Sequence, residues 1–427
     1  MEGERQMADS QTVRLPQMAW YGDTTIDIDF PDSWDVTVCH THGQSALALG
    51  DAGMRKAFAE PIGTKTIREM ARGKKEVVIL FDDLTRATPT HVLLPYVLEE
   101  LGQAGITDEH IRLIAAIGAH GVMNGVCLRK KLGEEPMERF LVYNHNPYEF
   151  CTPLGSSSQG VPVVVNSEVM RCDLKIGIGS IVPHPLAGFG GGGKVILPGV
   201  SSVETISVNH NKLGTLPTVD VGKYEGNVAR ADIDEAARMA GLDVKVDAIL
   251  NLKREVTALF VGDVVQEHRE GVKLAKTHYA ADFTGDCDIV IANCYFKANE
   301  VTLAPRVAHP FLKSSGGDMV FIAVTPEGQI THYLGRTFGA NIGGRTWFER
   351  STLPPNTRRL TVMSPYPDKV GADWTGPYDR VNRARTWKDV RSMLEKTYGR
   401  TAKVAVIPDA TSQYFPGEPA LHTASAL

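Results

Sequence analysis

The stretch Pro183-His184-Pro185-Leu186-Ala187-Gly188-Phe189-Gly190-Gly191-Gly192-Gly193-Lys194 is the most unusual in the chain. Its four consecutive glycines strip a run of backbone of side chains, so the N–H groups can approach an anion closely, with a lysine at the edge. Gly188 to Lys194 satisfies the G-x-x-x-x-G-K part of a phosphate-binding loop. Val195 follows, however, where such a loop needs a hydroxyl for magnesium, and Pro198-Gly199 interrupts the helix that should come next. A nucleotide- or phosphate-binding enzyme using residues 188–194 is therefore the alternative reading rather than the leading one. A flexible surface turn also fits poorly, because Leu186, Phe189, Val195 and Ile196 flank the glycines.

Three of the thirteen histidines stand out by position. His120 and His184 each follow an apolar run, and His210 sits in Ser207-Val208-Asn209-His210-Asn211, downstream of Lys194. Imidazole moves a proton readily near neutral pH and, when neutral, ligates transition metals. Taken singly each of these histidines reads as structural; beside the glycine run they read as a set. Asp83-Leu84-Thr85-Arg86 adds a carboxylate and a guanidinium on one short segment. Arg86 could clamp a carboxylate in bidentate fashion.

These groups need elements to position them. Glu76–Phe81 reads as a strand ending in Asp82-Asp83, Ile111–Ile117 as a strand ending in Gly118-Ala119-His120, and Leu174–Ile178 as a strand running into Val182-Pro183-His184. In open α/β sheets ligands sit beyond the carboxyl ends of the strands, so the pattern gathers the side chains around one crevice. A helix is expected over His91–Leu101, bent at Pro95, and another over Val264–His278. Later strands at Val244–Leu250, Asp288–Asn293, Met319–Val324, Leu360–Met363 and Val404–Ile407 alternate with helices at Val301–Lys313, interrupted by Pro305, and Trp387–Tyr398. That rhythm argues for a parallel, doubly wound unit.

The 427 residues exceed one typical domain. The fold class expected is α/β: two α/β domains with the active site in the cleft between them, the second Rossmann-like. The boundaries expected are 1–280 for a cofactor-anchoring catalytic domain, 285–402 for the Rossmann-like domain, and 403–427 for a tail that returns to the first domain. A net charge of −5 gives no case for nucleic-acid binding. No apolar run reaches the roughly eighteen residues of a membrane span. The opening residues carry no secretory core, and the six cysteines are scattered without a C-x-x-C pair. A cytoplasmic enzyme with reduced thiols, no membrane and no nucleic-acid partner is expected.

Together these segments resemble the nickel-pincer lactate racemase family. Tyr21-Gly22, Asp83-Leu84-Thr85-Arg86 with Pro89, Gly118-Ala119-His120, Pro183-His184 with Ala187-Gly188-Phe189 and Gly191-Gly192 to Lys194, then Pro198-Gly199 and His210, carry the resemblance. It implies a racemase or epimerase of a small 2-hydroxy acid. It implies a nickel-pincer nucleotide as cofactor, a pyridinium mononucleotide whose two sulfur arms and one ring carbon grip nickel. Lys194 would anchor it covalently as a thioamide, with Gly190, Gly191, Gly192 and Gly193 lying against it and His210 as the remaining nickel ligand. His120 and His184 would be the paired acid/base catalysts, one for each orientation of a planar 2-oxo intermediate. Arg86 would bind the substrate carboxylate, and Asp83 could orient Arg86, a histidine or a cofactor hydroxyl. The implied partners are the substrate and the enzymes that mature the cofactor.

The chain also departs from that family. Gly121 follows His120 where many members carry arginine. The Tyr-Gln-x-x-Lys set of the lactate enzymes aligns with Thr302, Leu303 and Arg306, which keeps one cation and loses the carboxamide. A smaller Thr302 and an apolar Leu303 leave room for a longer substrate, with Arg306 on its carboxylate and Lys297 near a distal polar group. Lactate is therefore not expected to be the best substrate. A non-catalytic hydroxy-acid-binding relative is a third reading, and the presence of both His120 and His184 speaks against it.

Overall fold

A computed structural model describes residues 10–334, 352–368, 375–377 and 379–417. The chain divides into two compact units, one built from residues 42–280 with 330–334, the other from residues 10–41, 281–329 and the described residues from 352 on.

The 42–280 unit is built on a six-stranded sheet in the order Val256–Gly262, Val244–Leu250, Leu174–Ser180, Val77–Phe81, Ile111–Ala115, Leu141–Asn144. Its pairings are parallel apart from the antiparallel edge strand Val256–Gly262. Val77–Phe81 reads Val-Val-Ile-Leu-Phe and is buried along its whole length, as a strand covered on both faces must be. Each such side chain taken from water contributes roughly 1.5–3 kcal/mol. The helix Thr90–Gln103 buries Leu93, Leu94, Val97 and Leu101 on one stripe and runs through Pro95. Val228–Met239 is capped by the Asn227 side chain and buries Ala229, Ile233, Ala236 and Ala237. These pack with Val195, Ile196 and Leu197, the residues just beyond the glycine run, in one apolar cluster. The segment expected to resist a surface-turn reading is indeed core.

The second unit is a six-stranded sheet with every pairing parallel, in the order Val381–Ala384, Thr357–Met363, Gly317–Ile322, Ile289–Asn293, Lys403–Ile407, Asp35–Val38. An antiparallel hairpin, Ser10–Gln17 with Thr24–Pro31, belongs to it. Phe30 of that hairpin meets Trp387 edge-on at 5.3 Å, and the Trp387 indole donates to the Asp29 carbonyl. Trp387 opens the helix Trp387–Tyr398, started by a Thr386/Asp389 capping box.

Three expectations differ from the structure. The opening residues fall with the second sheet rather than with 42–280, because Asp35–Val38 pairs with Lys403–Ile407. The supposed tail from 403 begins with an inner strand of that same sheet, since Lys-Val-Ala-Val-Ile needs neighbours on both sides. The expected helix 301–313 is three short turns, Val301–Leu303, Ala304–Ala308 and His309–Phe311, broken around Pro305 and Pro310. Among the described residues no helix is long and apolar enough to cross a membrane.

Candidate functional site

Three adjacent parallel strands deliver the candidate residues to one edge of the first sheet. Leu174–Ser180 leads to His184, Val77–Phe81 to Asp83 and Arg86, and Ile111–Ala115 to His120.

The Asp83 carboxylate is buried and fully engaged. One oxygen accepts the N–H and hydroxyl of Thr85, and the other meets His120 Nδ1 at 2.7 Å. Burial pushes its pKa up, but the charge and hydrogen bond of His120, with Arg86 and Thr85, outweigh this and hold it well below the usual carboxylate range. An ionised carboxylate only accepts, so His120 donates to it through Nδ1–H. Asp83 thus orients a histidine, one of the roles expected for it. Arg86 donates to the carbonyl and hydroxyl of Thr85 at 3.0 and 2.7 Å.

Sequence reasoning missed what holds this segment. Lys131, from the helix Gly125–Leu132, is wholly buried and lies 2.6 Å from Asp82. Its ammonium also donates to the carbonyls of Asp83 and Arg86. Asp82 in turn accepts from Thr88, whose hydroxyl bonds Ser180 at the end of the neighbouring strand. Arg129-Lys130-Lys131 reads as an exposed basic stripe, which hid the buried member.

His184 lies in a two-residue strand paired with Gly188-Phe189. Its Nδ1 accepts the backbone N–H groups of Leu186 (3.1 Å) and Ala187 (3.2 Å). The glycine run that follows is packed against the protein. Gly191 (φ +78°) and Gly192 (φ +57°) adopt backbone that L-residues avoid, and a Cβ there would meet Asp247 Oδ2 at 2.7 Å and His268 Cγ at 2.8 Å. The Gly192 N–H donates to Asp247 at 2.6 Å. His268 Nε2 donates to the Gly190 carbonyl at 2.7 Å, and Arg230 donates to those of Phe189 and Gly191. Beneath them Lys245 pairs with Asp247 at 2.5 Å. Burial and the adjacent Asp247 push the Glu267 carboxyl well above the usual range. A carboxylate already occupying the loop's N–H, with no α-helix after Lys194, disfavours a phosphate in this loop.

Lys194 ends the run in the 3₁₀ turn Gly192–Val195 and is buried. His210 lies in a π-helical turn, Asn209–Leu213, a form often found at functional sites. Burial, then the charge of Lys194, lowers the His210 pKa to about 3, and the charge of His120 acts in the same direction. Lys194, His210 and His120 therefore share one electrostatic neighbourhood. His210 Nδ1 is a buried atom with no hydrogen-bond partner.

A further histidine had no sequence signal. His332 forms a bridge with His120, and the two rings meet edge-on with centroids 5.1 Å apart. Gly121, where a family cation is absent, donates its N–H to the Thr331 carbonyl. Lys297 and Arg306 belong to the other unit. Lys297 is buried, its N–H held by Thr411, while Leu303 is a core side chain and so does not present the apolar surface expected of it. A cavity of about 170 Å³ at the carboxyl ends of that sheet is lined by Thr325, Gln329, Ser364, Asp368, Arg383 and Arg385 among others, but not by Lys297 or Arg306.

A buried base paired with a carboxylate, beside a neutral imidazole with an unsatisfied nitrogen and a buried lysine, suits proton transfer next to a bound cofactor. Comparison with known proteins agrees with that chemistry. Residues 21–220 match the lactate racemase N-terminal domain. The chain is 29% identical to a lactate racemase of Lactiplantibacillus plantarum over 83% of this chain and 88% of that protein. It is 28% identical to a lactate racemase of Thermoanaerobacterium thermosaccharolyticum over 64% of this chain and 65% of that one. In fold it is similar to the lactate racemase apoprotein of Thermoanaerobacterium thermosaccharolyticum (TM-score 0.72, 21% identity, 95% of this chain and all of that one). It is also similar to a structural-genomics protein from Thermotoga maritima (TM-score 0.62, 17% identity, 82% and 97%).

Proposed function

We propose that the chain, whose residues 21–220 match the lactate racemase N-terminal domain, is a member of that family and an isomerase that racemises or epimerises a small 2-hydroxy acid. The observation that supports this most is the Asp83–His120 pair at the ends of adjacent strands beside the one that leads to the His184 hairpin, with Lys194 in the turn that follows it.

Inverting a carbon that bears a hydroxyl requires hydride to leave and return on the other face while a protein group manages the hydroxyl proton. His120 offers its Nε2 lone pair for that proton, and Asp83 stabilises the imidazolium that results. His184 is the second imidazole available to the substrate oxygen, and Arg86 is the cation for the carboxylate.

The residues present fit a nickel-pincer nucleotide, which when bound supplies the hydride acceptor. His210 is the fitting nickel ligand, being held neutral and carrying a buried nitrogen with no hydrogen-bond partner. Among the described residues no group of three or more His, Cys, Asp or Glu could hold a metal, so the remaining donors would come from the cofactor. Lys194 would anchor it as a thioamide, with Gly190 to Gly193 alongside. We place the protein in the cytoplasm with the cofactor's maturation enzymes, a setting that suits its six cysteine thiols. The substrate proposed is longer than lactate, such as malate, an aryl-lactate or a sugar acid. The smaller Thr302 in place of a tyrosine supports the longer substrate, whereas Leu303, a core side chain, takes no part.

The test is co-production with the cofactor's biosynthetic enzymes, followed by intact mass, nickel analysis and chiral assay of a 2-hydroxy-acid panel. A mass increment that Lys194→Ala abolishes, with interconversion of at least one enantiomer pair, is expected. An unmodified chain inert toward the whole panel would overturn the reading.

A further inference from the structure

We propose that the second unit carries its own binding site for a small monocarboxylate with a short apolar body, in the cavity at the carboxyl ends of its strands. The site does not depend on the racemase reading, because the residues lining the cavity all belong to this unit.

Three neighbouring parallel strands end at the cavity. Gly317–Ile322 leads to Thr325, Thr357–Met363 to Ser364, and Val381–Ala384 to Arg385. The carboxyl edge of an open α/β sheet is where such folds receive ligands. The lining grades from apolar to cationic. Val301 and Ala323 are buried, Val362 and Ala384 half-buried, whereas Arg383, Arg385 and Tyr366 are exposed. The walls are therefore apolar and the mouth is cationic. Among the described residues the Arg385 guanidinium has no ion-pair partner.

The polar groups of the wall already hold one another. The Gln329 N–H donates to an Asp368 oxygen at 2.7 Å, and its side-chain amide donates to the Ala298 carbonyl at 2.7 Å. Its side-chain carbonyl accepts the Val301 N–H at 3.2 Å. Gly328, at φ +77°, permits this turn, since a Cβ there would meet Asp368 Oδ2 at 2.5 Å. The Tyr366 N–H donates to the Ser364 hydroxyl at 3.2 Å. A wall fixed in this way loses little freedom when a ligand enters.

Charge and size select the ligand. The lining carries two guanidinium groups and the Asp368 carboxylate, an excess of one positive charge. A ligand with one negative charge balances it, and a carboxylate matches the planar fork of Arg385. The volume of about 170 Å³ lies below the roughly 300 Å³ at which sites for drug-sized ligands begin, which leaves out a nucleotide. A branched short-chain acid such as isobutyrate has the required form, its methyl groups toward Val301, Ala323 and Val362 and its carboxylate toward Arg385.

Titration calorimetry on the full-length protein tests this with isobutyrate, L-lactate and inorganic phosphate as probes. One isobutyrate per chain is expected, with a dissociation constant on the order of 1 mM. Arg385→Gln, at an exposed position, is expected to weaken it about tenfold or more with the thermal melt unchanged. Arg86→Gln, in the other unit, is expected to change it by less than about twofold. In that Arg86→Gln background L-lactate, where a hydroxyl replaces one methyl group, is expected to bind about three- to fivefold more weakly than isobutyrate. Loss of isobutyrate binding in Arg86→Gln would place the acid on the other unit and overturn the proposal. So would phosphate binding tighter than isobutyrate, an Arg385→Gln protein that binds as wild type does, or a wild-type protein that takes up no isobutyrate.

Discussion

Asp83 and His120 meet at 2.7 Å in a buried pocket where the carboxylate also accepts two bonds from Thr85. The pair fixes which ring nitrogen of His120 is available to a substrate. Asp83→Asn can present its amide N–H to Nδ1 and so impose the wrong tautomer. Turnover is expected to fall about 10²–10⁴-fold with the fold intact, measured as kcat on the loaded enzyme. Because the Asp83 carboxyl is held below its ordinary value, its stabilisation is present above about pH 4 and is lost as pH falls further. The melting-temperature gap between wild type and Asp83→Asn should therefore narrow from pH 6 toward pH 3; a constant gap would contradict this.

Lys131 and Asp82 are a buried ion pair, and removing one partner leaves the other charge stranded. Lys131→Ala is expected to cost about 3–5 kcal/mol in urea unfolding. The double variant with Asp82→Asn should cost less than the two single losses added together. Strict additivity would mean that the two residues do not act as a pair.

The glycine run offers a graded series. Gly190→Ala meets nothing closer than 3.5 Å at ordinary φ and is expected to be tolerated within about 0.5 kcal/mol. Gly191→Ala and Gly192→Ala combine positive φ with contacts below 3.0 Å and are expected to cost about 1–3 kcal/mol. Thermal melts of the three variants, with intact mass after cofactor loading, check the order.

Glu267 is buried beside Asp247, and both burial and that carboxylate raise its carboxyl above the usual range. An acid whose folded pKa is raised loses stability as pH climbs from its unfolded value, near 4.3, toward the folded one, by up to about 1.4 kcal/mol per pH unit. Glu267→Gln should match wild type at pH 4 and become progressively more stable above it. Calorimetry across pH 4–8 that shows parallel curves would rule this out.

His210→Ala should lower the nickel content of the loaded protein while the adduct on Lys194 remains detectable by mass. Unchanged nickel retention would assign the ligand elsewhere.

Much of this site was legible because apolar runs stop abruptly at polar residues. Val77–Phe81 before Asp82, Ile111–Ala115 before His120 and the glycines before Lys194 announce strand ends and a tight loop without reference to distant sequence. What could not be read depends on partners far along the chain. Lys131 lies in a basic helix, and only the fold shows that its ammonium points inward. Asp247 sits mid-strand, where nothing local says that it caps a glycine some fifty-five residues earlier. His332 meets His120 through a segment that returns from beyond most of the second unit. Membership of the second sheet is likewise non-local, since Asp35–Val38 finds its strand neighbour in Lys403–Ile407.

That last pairing has a consequence for biogenesis. A nascent chain is made from its amino end, and domains fold as they emerge. The segment 42–280 can assemble its sheet long before synthesis ends, yet Asp35–Val38 has no strand to pair with among the described residues until Lys403–Ile407 has left the ribosome. A strand made early is thus among the last to be paired. A ribosome stalled before residue 403 would hold a chain with its Asp83–His120 pair formed and Asp35–Val38 still unpaired.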